Sequence, residues 1–260
     1  MTTSERWKAI LDFLAEAGSV SNIALAEHFG VSDETIRRDL ITLDRRGKLL
    51  RIRGGARSLS EATGPNPFVT PTLAVRTGEN PDKKLAAAMA ALSMIDEGDS
   101  VALDSGSTIN ILAELIAEHF ENLSVVTYSL DAIIALSRNK GIRLIVPGGS
   151  FEREERVFEG FMTEEMLSRL HVAKAFISPL GISESFGISI NQSQFYPLER
   201  ALMRISDERI VVADSTKFGV TTPIRICELE EIDAYASDSG LSEKTAELLR
   251  AHGAKVITSP

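Results

Sequence analysis

One cysteine, three tyrosines and one tryptophan stand among 260 residues. No apolar run approaches the roughly 18 residues needed to span a bilayer, so no membrane partner is expected. The lone thiol, Cys227, excludes an intramolecular disulfide and any cluster of thiolate metal ligands. The four histidines, His28, His119, His171 and His252, fall at or near expected helix ends, with no nucleophile, base or metal-ligand pattern beside them. No catalytic residue, metal ligand or cofactor is therefore expected. The N-terminal stretch MTTSERWKAILDFLAEAG mixes charges into an apolar stripe and lacks an h-region, which excludes a secretory signal and leaves a cytoplasmic address. Proline is sparse except in residues 60–81, which hold four of the nine. That stretch is read as a linker over 61–81, dividing a small domain over 1–60 from a larger one over 82–260.

The net charge of −9 argues against a polyanion as partner only if charge is spread evenly. It is not. Residues 1–60 hold ten Lys/Arg against eight Asp/Glu, and the remainder 18 against 29. Between 37 and 57, Arg37, Arg38, Arg45, Arg46, Lys48, Arg51, Arg53 and Arg57 face only Asp39 and Asp44. A cationic patch on an acidic chain is the electrostatic footprint of a nucleic-acid contact confined to one end.

In the small domain, Trp7, Ile10, Leu11 and Leu14 recur at helical spacing and predict a first helix ending before Gly18. A short second helix, 23–29, ends at Gly30, and Ser32 caps a third. On that third helix Ile36, Leu40 and Leu43 share one face, while Arg38 and Arg45 point away. Two β-prone stretches, 49–52 and 56–59, flank Gly54-Gly55 and read as a hairpin.

VSDETIRRDL followed by GKLLRIRGGA resembles the winged helix-turn-helix of the DeoR family of bacterial transcriptional regulators. The resemblance implies double-stranded operator DNA as partner, with the third helix in the major groove. Ser32, Thr35, Arg37 and Arg38 are then the DNA-contacting positions, and the wing, with Arg51 and Arg53, reaches the flanking backbone or minor groove. Arg53 stands where the family usually has histidine, so the wing carries a permanent charge.

Beyond residue 82, helices alternate with short apolar strands, the pattern of an α/β domain with a mostly parallel sheet covered on both faces. Strand–loop–helix units end in small or polar residues: Asp104-Ser105-Gly106-Ser107-Thr108, Tyr128-Ser129, Gly148-Gly149, and Asp214 with Lys217. Such loops gather at the carboxyl ends of parallel strands, and a helix N-terminus there is a ready anion site. Arg153, in the mixed run 152–156, is a possible second anion contact in an otherwise solvated element. LDSGST, VPGGSF, ISPLGI and ADSTKFG resemble successive blocks of the DeoR sensor domain, which is similar to ribose-5-phosphate isomerase folds. The resemblance implies a phosphorylated sugar or polyol effector, with Ser105–Thr108 on the phosphate and Asp104, Asp214 and Lys217 toward the sugar. Tyr128 replaces a common asparagine, which points to an unusual effector.

Two readings follow. The first is a repressor of a carbohydrate or polyol operon, a homodimer or homotetramer associated with the nucleoid and released by its effector. The second keeps the DNA-binding head but makes the larger domain a working sugar-phosphate isomerase.

Overall fold

The computed structural model describes residues 3–17, 19–52, 54–57 and 71–259. The chain forms two compact units, Met1–Val69 and Thr70–Pro260.

The first unit contains helices α1 (Thr3–Ala17), α2 (Asn22–Phe29) and α3 (Asp33–Arg45) and strands β1 (Ser19–Ser21), β2 (Leu50–Ile52) and β3 (Gly55–Arg57). The apolar stripes meet as their spacing requires: Ile10 and Leu14 of α1, Leu25 of α2, and Ile36 and Leu40 of α3 are fully or almost fully buried in one cluster. Each such side chain contributes about 1.5–3 kcal/mol of transfer free energy. The hairpin β2–β3 gains a third strand, β1, in the antiparallel order β1-β3-β2. Gly55 makes this possible, because any Cβ there would collide with the backbone carbonyl of Val20.

The second unit begins with α4 (Leu73–Gly78) and α5 (Pro81–Leu92), then β4 (Ser100–Leu103), α6 (Ser107–His119), β5 (Leu123–Thr127), α7 (Leu130–Leu136) and β6 (Ile142–Ile145). A hairpin of β7 (Ser150–Glu152) and β8 (Val157–Glu159) leads into α8 (Phe161–Leu167) and β9 (Val172–Ile177). Strands β10 (Gly181–Ser183) and β11 (Gly187–Ile190) precede α9 (Tyr196–Ile205), β12 (Ser206–Val212), β13 (Ile224–Cys227), β14 (Ala234–Asp238), α10 (Glu243–Ala251) and β15 (Lys255–Ser259). Seven strands form one parallel sheet in the order β15-β14-β12-β9-β4-β5-β6. Alternate residues serve opposite faces: Val101 and Leu103 of β4 pack with α5 and α6, and Ala102 packs with α9. The fold is therefore a helix-turn-helix unit followed in the chain by an α/β layer structure, as the sequence pattern implies.

Two expectations need correction. Residues 71–81 are not linker: they contain α4 and the start of α5, with Leu73 buried in the second unit. Residues 61–70 lie outside the described residues. The run 152–156 is not simply solvated. It forms the turn between β7 and β8, and its Glu155 is buried. The antiparallel sheet β10-β11-β13 was also not foreseen.

Candidate DNA interface and anion pocket

Helix α3 separates its residues by function. Asp39 is buried and bonded to Arg6 and Trp7 of α1, while Arg37 and Arg38 stay exposed on the opposite side. Ser32 caps the helix by accepting the Thr35 N–H at 3.2 Å, and the two hydroxyls hydrogen-bond at 2.8 Å. Arg37 pairs with Asp33 at 2.8 Å and Arg38 with Glu34 at 3.3 Å, each one turn back. Exposed pairs of this kind contribute about 0–1 kcal/mol, so phosphate or a base edge readily replaces the carboxylate. Arg51 is exposed on β2, and its backbone N–H is held by Asp44 at 3.0 Å. Arg53 lies outside the described residues.

In the second unit the strand order changes direction between β4 and β9, and the carboxyl ends of those strands open a crevice. Asp104 ends β4 and is buried; it accepts the backbone N–H of Ser178, beyond β9, at 3.0 Å and the hydroxyl of Tyr128. Burial pushes its carboxyl up from the usual range, against the pull of those hydrogen bonds. Above it the chain turns at Gly106, whose φ of 115° suits glycine, and α6 starts without a side-chain cap. Its first N–H groups are thus left for another acceptor.

Beside this helix start is a pocket lined by Ser107 and Thr108 of α6, Ser178, Pro179 and Leu180, and three cations: Arg76 of α4, Lys84 of α5, and Lys217. The described lining contains no carboxylate. Lys84 is 2% exposed and donates to the Arg76 carbonyl. Burial first, and Lys217 second, lower its pKa, and Asp214 opposes them. An entering anion relieves this strain on the ammonium. Asp214 caps the turn carrying Lys217; its Oδ1 is bonded to Thr216, whereas Oδ2 is buried and accepts no hydrogen bond. A larger cleft lies at the amino ends of the strands, with Glu208, Glu230, Asp233, His252 and Lys255; there His252 pairs with Glu230 at 2.7 Å, and Asp233 with Arg209 at 2.8 Å.

Of the residues singled out from sequence, Ser107, Thr108 and Lys217 line the pocket, with Ser105 and Gly106 in its loop and Asp104 and Asp214 next to it. The others are placed differently. Tyr128 is 1% exposed and spends its hydroxyl on Asp104. Ser129 caps α7. Gly148 gives its carbonyl to Thr163, and Gly149 leaves no room for a Cβ beside Glu159. Arg153 is exposed in the hairpin turn. Arg76, Lys84 and the 178–180 loop were missed.

Residues 6–62 match the DeoR-like helix-turn-helix domain, and residues 79–239 the DeoR C terminal sensor domain. The chain is 32% identical over 255 residues to the putative aga operon transcriptional repressor of Escherichia coli O157:H7, covering 98% of this chain and 93% of that one. It is 31% identical over 259 residues to the HTH-type transcriptional repressor GlcR of Bacillus subtilis, covering 100% and 97%. Among solved structures, ribose 5-phosphate isomerase A from Methanocaldococcus jannaschii superposes with a TM-score of 0.40 at 18% identity, over 54% of this chain and 55% of that one. The chain belongs to the DeoR family of helix-turn-helix transcriptional regulators.

Proposed function

We propose that this regulator is a repressor of a carbohydrate or polyol operon, released from its operator when a phosphorylated sugar or polyol enters the pocket of the second unit. The observation that carries the reading is the convergence of Arg76, Lys84 and Lys217 with the uncapped start of α6, Ser107 and Thr108. Three cations and free N–H groups around one cavity suit the charge of a phosphoryl dianion, and the space of about 10 Å³ widens to admit it. Both of these relatives are repressors, which supports repression. Operator contact is assigned to Ser32, Thr35, Arg37 and Arg38 of α3 and to the wing arginines Arg51 and Arg53, two copies of which, from a homodimer or from one pair within a homotetramer, meet the two half-sites in the cytoplasm.

An isomerase would need a carboxylate base above its substrate. Asp104, Asp214 and Glu199 are all buried, and none of them lines the pocket. Binding without turnover is therefore the reading preferred here.

A thermal-shift screen of phosphorylated sugars and polyols tests it, using wild type and Ser107→Asp. A ligand at one hundred times its Kd stabilises by about 2.7 kcal/mol. That ligand is expected to release operator from wild type and to leave Ser107→Asp unstabilised. Full stabilisation of the variant overturns the site, and aldose–ketose conversion by wild type overturns the non-enzymatic reading.

A further inference from the structure

Arg76 already has an anion. Its Nη2 donates to Glu155 Oε2, and the pair is buried, with side-chain exposures of 12% and 9%. Glu155 comes from the turn between β7 and β8, and its other oxygen accepts Gln192 Nε2 at 3.3 Å. The turn is anchored separately: the neighbouring Arg156 grips Asp131 of α7 through Nε and Nη2 at 2.8 and 2.7 Å. One ion pair thus joins the hairpin to α4, the first helix of the second unit and the element that follows the DNA-binding unit along the chain.

We propose that Glu155 is a built-in anion that occupies Arg76 in the ligand-free protein, and that a phosphoryl group entering the pocket takes Arg76 from it. This rests on the pocket being the effector site. A dianion on the same guanidinium lies within about 4–6 Å of the Glu155 carboxylate, where like charges repel strongly in a buried setting. The phosphoryl group has Lys84, Lys217 and the α6 start as further partners. Among the described residues, the Glu155 carboxylate has Gln192 as its one other side-chain partner. The exchange therefore runs in favour of the ligand and unfastens α4 from the hairpin. Ligand-free protein has α4 fastened and binds operator; liganded protein has it released.

Inorganic phosphate is the probe, with operator duplex selected from a random pool. Glu155→Gln keeps the shape but removes the competing charge. It is expected to bind phosphate at least fivefold more tightly than wild type and, without phosphate, to bind operator at least fivefold more weakly. Gln192→Ala, at a half-buried position, is expected to shift both in the same directions by about twofold and serves if Glu155→Gln does not fold. Arg76→Ala is expected to weaken phosphate and operator binding together. Unchanged operator affinity in both Glu155→Gln and Gln192→Ala, tighter operator binding in either, or no phosphate stabilisation of wild type and Glu155→Gln alike overturns the exchange. If Ser107→Asp abolishes phosphate stabilisation while Glu155→Gln behaves as wild type, the exchange fails and the pocket stands. If Ser107→Asp is stabilised as wild type is, the pocket assignment fails and the exchange with it.

Discussion

Trp7 of α1 donates its indole N–H to Asp39 of α3 at 2.7 Å. Asp39 directly follows the two exposed arginines of that helix, and its second oxygen takes the guanidinium of Arg6. The helix that presents cations to solvent is therefore aimed by a carboxylate on its inner face.

Asp39→Ala is expected to destabilise the first unit by about 3–5 kcal/mol, since it leaves the buried Arg6 guanidinium without its partner. Trp7 is the sole tryptophan, so a urea titration followed by its fluorescence reports on this unit. An unchanged midpoint contradicts the aiming role.

Arg38→Ala is expected to change stability by less than about 0.5 kcal/mol, because the side chain is 78% exposed. Specific operator binding should weaken by about 1–3 kcal/mol and sequence preference should relax. Arg51→Ala, on the wing, should instead lower affinity for all duplexes and reduce the salt slope by about one. Anisotropy titrations on operator and random duplex, at several salt concentrations, separate the two. Equal losses on both duplexes at Arg38 would remove it from base reading.

Tyr128→Phe is expected to cost about 1–3 kcal/mol of stability, because Asp104 loses a buried donor. It should leave the ranking of phosphorylated ligands unchanged, since the ring is sealed in the core. A reordered ranking in a thermal-shift panel would return Tyr128 to the ligand site.

Glu199 is buried, and burial first, then Asp104, push its carboxyl well above the usual glutamate value. The native state therefore keeps a proton that the unfolded chain gives up. The Glu199 contribution to folding stability is fully present below the ordinary glutamate pKa of 4.5 and is lost as pH rises from there toward the native pKa. One proton gives a slope of at most about 1.4 kcal/mol per pH unit. Glu199→Gln should flatten that decline in urea midpoints collected from about pH 5 to 8; parallel curves for the two proteins would refute it.

The DNA-binding unit was legible because its signals are local: Ile36, Leu40 and Leu43 repeat at helical spacing, and Ser32 marks the start of α3. Strand β1 was not, because three residues carry no periodicity and its pairing with β3 is tertiary. In the second unit the seven strands of the parallel sheet were legible as apolar runs, and the α6 loop as small residues between strand and helix. Tyr128 was drawn to the site by its place after a strand, but its side chain takes the core-facing side. Arg76 was hidden in a proline-rich stretch, and Lys84 in a Lys-Lys pair that reads as solvated. A signal for Lys84 did exist. It lies four and seven residues before Ala88 and Ala91, on the face of α5 that is buried against the sheet.

The pocket's walls come from the loops after β4 and β9, strands that are neighbours in the sheet but far apart in the chain. Strand β5, the next in sequence after β4, pairs on its other side. The cavity consequently exists only while the two halves of the sheet are docked across β4 and β9. A partly unfolded chain therefore lacks the pocket proposed for the effector.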